Sequence, residues 1–150
     1  MNNKILDEVR QARRLIEEIW EAWRSSESSD SLDRPWTCPW TDSLDRLWHQ
    51  NYSRARSLLE HRLVSNPENI LLLTVLGAVL SDQGNHDDAA KLLRKAVENG
   101  SNDRNTFFNL GVAVLNSGAG EKDAIKWFKK ASTLDAHPES WEAYFDPHAH

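Results

Sequence analysis

Six histidines, one cysteine and a few paired acids are the residues of this 150-residue chain whose types could do chemistry. A hydrolytic zinc site on a helix needs two histidines one turn apart, so that both rings face the same ion. His49, His61, His86, His137, His148 and His150 offer no such pair. The run Asp146-Pro147-His148-Ala149-His150 has metal-ligating types but reads as a frayed tail. A nucleophilic thiol needs a positioned base, and nothing near Cys38 in the sequence supplies one. Standing alone, Cys38 cannot form an internal disulfide, which suits a reducing compartment. The pairs Asp87-Asp88 and Glu17-Glu18 read as solvated faces, and no glycine loop of the phosphate-cradling type is present. The chain is therefore expected to be no enzyme, with no catalytic residue, metal site or cofactor.

Binding is the remaining chemistry, and composition narrows it. Hydrophobic residues make up 39% and charged residues 27%, with only six glycines and five prolines, which suits one helical globular domain. The net charge is −5 and no basic patch interleaves with aromatics, so nucleic acid is not an expected partner. No apolar run reaches the length of a membrane span, and Met1-Asn2-Asn3-Lys4 opens no signal-peptide core. A cytoplasmic location is the expectation.

The elements that must position any binding residues follow from periodicity. Over residues 3–24, Ile5, Val9, Ala12, Ile16, Ile19 and Trp23 recur at spacings of four and three, the mark of an amphipathic helix. Such a stripe must be covered: in cis as a cap on the rest of the chain, which is the favoured reading, as the seam of a homodimer, or by sitting in a groove from which a ligand displaces it. Residues 25–40 join a serine-rich linker to the segment Pro35-Trp36-Thr37-Cys38-Pro39-Trp40, where the two prolines forbid a regular helix. Helices are predicted over 41–49, 52–65, 69–82, 86–99, 103–116 and 121–134, with a short last helix over 139–145 and a tail over 146–150. Turns at Asn66-Pro67, Gly84-Asn85, Gly100-Ser101 and Gly118-Ala119-Gly120 are short, which makes consecutive helices antiparallel. The prediction for 41–145 is an all-α array of antiparallel αα-hairpins, whose last helix covers the exposed core with Trp141, Tyr144 and Phe145.

The register of that array is doubled. Gly77 and Gly111 lie 34 residues apart. Leu73, Leu76, Gly77, Leu80, Ala89, Leu93 and Ala96 in the first copy correspond to Phe107, Leu110, Gly111, Val114, Ala124, Phe128 and Ala131 in the second. The pattern resembles the tetratricopeptide repeat, a 34-residue helix–turn–helix unit. A third, degenerate copy precedes these two, recognisable in Tyr52, Ala55, Leu59 and Asn66-Pro67, with Arg62 where the family has a small residue. The resemblance implies a right-handed superhelix of about three hairpins. It also implies a concave groove lined by the first helix of each pair and holding an apolar peptide or helix of another protein. On that mapping the groove is formed by Trp40, Leu44 and Trp48, by Thr74 and Ala78, and by Phe108, Asn109, Val112 and Asn116. No lysine or arginine falls on those positions, so a clamp for a free carboxylate is not expected. The implied role is a protein–protein interaction module of the adaptor or scaffold kind. Its alternatives are a dedicated chaperone of a secreted client, similar to class II chaperones of type III secretion, and a small immunity or inhibitor protein.

Overall fold

The computed structural model describes residues 3–27 and 41–143. These form six helices: α1 (Asn3–Glu27), α2 (Asp42–Ser65), α3 (Ile70–Asp82), α4 (His86–Glu98), α5 (Arg104–Asn116) and α6 (Glu121–Ala131), with no strand among the described residues. Trp36, Cys38, Trp40, Tyr144, Phe145 and the tail 146–150 lie outside them.

Each start has a local cause. Thr41 caps α2 by accepting the Leu44 N–H at 3.2 Å, with Asp42 and Asp45 in the first turn favouring the positive end of the helix. Asn69 caps α3 through the Leu72 N–H, and Asp103 caps α5 through the Asn105 N–H. The chain stops α3 and α4 at Gly84 and Gly100, both at positive φ, each closing its helix with a six-to-one bond: Asn85 N to Leu80 O, and Ser101 N to Ala96 O.

Three predicted boundaries are corrected. The helices expected over 41–49 and 52–65 are one continuous helix, α2. The turn between them was required by the repeat register, but His49-Gln50-Asn51-Tyr52 contains neither glycine nor proline to break a helix. The helix expected over 139–145 does not form within 139–143, where a turn at Pro138 and Glu139 leads into backbone without helix. α6 also ends at Ala131, three residues before the predicted boundary.

The first hairpin is consequently α1 with α2. The α1 stripe of Ile5, Val9, Ala12, Leu15, Ile16 and Ile19 is buried in one core with Tyr52, Ala55, Leu59, Leu72 and Val75. The two helices run antiparallel. Asn51 in the first half of α2 donates to Leu15 O at 2.7 Å and to the Glu18 carboxylate, while Arg62 near its end grips the Glu8 carboxylate with two bonds of 2.6 and 2.7 Å. Arg62, which takes the place of the small residue usual in the repeat, thus fastens α1. α3 is buried on every side from Leu71 to Asp82, as a helix packed between neighbours must be. It contacts α1, α2, α4 and α5. α1, α3 and α5 form the inner row, and α2, α4 and α6 back them.

The bonded Arg62 guanidinium holds the Glu8 carboxyl below its ordinary value, partly opposed by desolvation and assisted by Lys4 and His61. A carboxyl depressed in the folded state contributes stability that is complete above the unfolded value of about 4.3 and is lost as pH falls through the folded one. Glu8→Gln should therefore lower the melting temperature near neutral pH, and the difference from the natural chain should shrink on acidification below that value. A constant difference across both conditions would show that charge is not what Glu8 contributes.

Candidate functional site

α5 presents one face to the concave side of the inner row, and the chain itself lies across that face. Asn105 and Asn109 are one turn apart and both buried. The Asn109 side-chain amide donates to Trp141 O at 3.0 Å and accepts the Ala143 N–H at 2.9 Å. It therefore grips two backbone groups on either side of Glu142, as a neighbouring strand would. Asn105 Nδ2 donates to Ser140 Oγ at 2.9 Å. Upstream, the Arg104 N–H donates to Asp135 O, and Asp103, while capping α5, accepts the His137 N–H. Trp141 is 4% exposed and joins the main core. Its indole Nε1 is buried with no hydrogen-bond acceptor among the described residues.

Charged contacts tie the same segment to both ends of the inner row. Arg10 on α1 meets Glu139 at 2.6 Å, and Arg104 on α5 pairs with Glu142. The bonded guanidinium of Arg10 holds the Glu139 carboxyl below its ordinary value. Beside the segment runs a cavity of about 910 Å³, lined by Phe108, Val112, Leu115 and Asn116 of α5, Ser81 and His86 around the α3–α4 turn, and Arg13 of α1. Phe108 rests against Phe128 at 5.5 Å between ring centroids and lies beneath the Arg104 guanidinium at 5.0 Å.

Of the nine groove residues expected from sequence, Phe108, Asn109, Val112 and Asn116 come together here. Asn116 spends its amide on the Val112 carbonyl of its own helix, and Asn109 is the one of the pair that bonds an extended backbone. Thr74 and Ala78 are fully buried behind the face. The Thr74 hydroxyl lies 2.6 Å from that of Thr106, which Ser101 also meets, making a polar joint between α3 and α5. Leu44 and Trp48 are elsewhere: both are buried, and Trp48 stacks on Tyr52 within the core shared with α1. Trp40 lies outside the described residues.

Arginine reaches this face from outside the nine positions named from sequence. Arg10 and Arg13 reach it because α1 and not residues 41–49 supplies the first inner helix, and Arg104 reaches it from the first turn of α5. In the sequence Arg10 and Arg13 sit on the polar flank of an amphipathic stripe, a signal of solvent exposure alone. Among the described residues no group of three or more His, Cys, Asp and Glu side chains is placed to hold a metal ion. No helix among them is long and apolar enough to cross a membrane.

Stacked antiparallel hairpins, glycines under large side chains and a polar inner face define a helical repeat domain. The family model for the tetratricopeptide repeat matches residues 44–104 and 74–140, and the chain belongs to that family. No curated protein matches it. Domains of this family generally mediate protein–protein interaction and are typically non-catalytic. The matched stretch begins inside α2, so α1 is the helix that completes the first hairpin from outside the matched repeats.

Proposed function

We propose that this protein is an interaction module, an adaptor or scaffold, that captures a segment of another protein on the concave face formed by α1, α3 and α5. The observation that carries the reading is the Asn109 side chain. Fully buried at the centre of the face, it offers one donor and one acceptor spaced for the main chain of an extended peptide. The cavity next to it supports the same reading, since it combines the aromatic anchor Phe108 with Val112, Arg13 and His86. Apolar anchors ringed by a few directed polar groups are the usual make-up of a peptide site. An acidic and aromatic segment fits that lining better than the apolar peptide or helix expected from sequence.

A partner recovered by co-purification from the native host supplies the test. Phe108→Ala should weaken its binding by about 1–3 kcal/mol. Phe108 is only half-buried, so the helical circular dichroism at working temperature should not change. Undiminished affinity for the variant would place the interface on another face.

A further inference from the structure

Resting on that reading, we propose that residues 138–143 are a resident ligand of the concave face. They hold it in cis until an extended segment of the same chemistry, carrying a tryptophan between a small hydroxyl residue and an acidic one, displaces them.

Three observations carry the inference. The first is how the segment is held. It contains no helix of its own within 138–143, and Asn109 grips its main chain at Trp141 O and Ala143 N, groups that any extended peptide presents. A covering helix would have hidden those groups within itself. The second is where it lies. It bridges the inner row from Arg10 on α1 to Asn105 on α5, the path along which a captured peptide would cross the face. The third is that its attachment is incomplete. The Trp141 indole N–H is buried without an acceptor among the described residues, and a desolvated donor weakens the docked state. Its ion pairs are partly solvated, with Arg10 49% and Glu142 48% exposed, and such pairs hold weakly. Trp141 and the Asn109 amide are thus the principal anchors, and both are features an incoming segment can reproduce. Ser140 reaching Asn105 sets the small hydroxyl position, and Glu142 beside Arg104 sets the acidic one.

A segment tethered to its own site competes at a high effective concentration, so an outside ligand sees only the fraction of molecules whose face is free. The probe is a labelled synthetic peptide, His-Pro-Glu-Ser-Trp-Glu-Ala, titrated into the full-length chain. Trp141→Ala should release the resident copy and tighten probe binding at least about tenfold. Ala143→Pro keeps the indole but deletes the N–H that Asn109 accepts. It should shift binding in the same direction by less, and it carries the test if Trp141→Ala fails to fold. Adding Asn109→Ala to either variant should remove the gain. If probe affinity is the same for the natural chain and both variants, yet falls with Asn109→Ala, the face binds peptides and the inference of cis competition is wrong. Probe binding that ignores Asn109→Ala in every background overturns the concave-face reading itself. A dimer of the natural chain that Trp141→Ala dissociates would make a second copy the occupant and would likewise overturn the cis assignment.

Discussion

Deleting residues 1–24 is expected to collapse the N-terminal hairpin and make the remaining chain aggregate or unfold without cooperativity. α1 buries Ile5, Val9, Leu15, Ile16 and Ile19 to 7% exposure or less. At about 1.5–3 kcal/mol per large aliphatic side chain, these residues contribute roughly 7–15 kcal/mol as an upper bound. That is comparable to the whole stability of a typical domain, about 5–15 kcal/mol. The deletion also leaves Tyr52, Ala55 and Leu59 uncovered, strips Asn51 and Arg62 of their partners, and removes the Arg10 tether of the C-terminal segment. Urea unfolding followed by circular dichroism, with light scattering for association, reads the outcome. A truncated chain that stays soluble and equally stable, while a full-length dimer becomes a monomer, would make α1 a dimerisation element instead of the first helix of the stack.

Leu93→Ala should cost about 2–5 kcal/mol, the range for emptying a fully enclosed leucine site. Leu93 has no exposed surface and fills the hole left by Gly77, where an added Cβ would sit 2.6 Å from Leu93 Cγ. Gly77→Ala gains about 1 kcal/mol of helix propensity but overpacks a rigid contact at about 1–3 kcal/mol, for a smaller net loss. The two changes share one cavity, so the double variant should be less unstable than the sum, because the new methyl occupies part of the vacated space. Denaturation midpoints of the four proteins close this cycle. Additivity within about 0.5 kcal/mol would mean that Leu93 is not held by the Gly77 gap. Gly111 under Phe128 is the milder case, since the half-buried ring can swing aside.

Those glycines are also why α3 to α6 were legible. A large–large–small–large stripe recurring after 34 residues, punctuated by Gly84, Gly100 and Gly118, has one packing solution, and local propensity agrees with it. On α5 the site was legible for the same reason: Phe108, Val112 and Asn116 are each one turn apart, so helical geometry alone places them on one face. At Leu44 and Trp48 the pattern could not separate a groove-lining side chain from a core one, because both are large apolar residues at helical spacing. For Trp48, only the presence of α1 against that side of α2 made it core.

What the sequence by itself determined was the helical class, the hairpin repeat, the stripe on α1 and the α5 face. What only the tertiary structure decided was which helix pairs with α2 and what lies on the concave face. Periodicity states that a stripe must be covered, not by which partner. The stretch between α1 and α2 is too long for turn geometry to dictate their pairing, so the choice fell to distant contacts such as Glu8 with Arg62 and Leu15 with Asn51. At the other end, Pro138 announces a helix by local rule. Asn105 and Asn109 instead bond the Ser140 hydroxyl and the Trp141 and Ala143 backbone, and burial of Trp141 holds the segment against α5, so long-range contacts there override local preference.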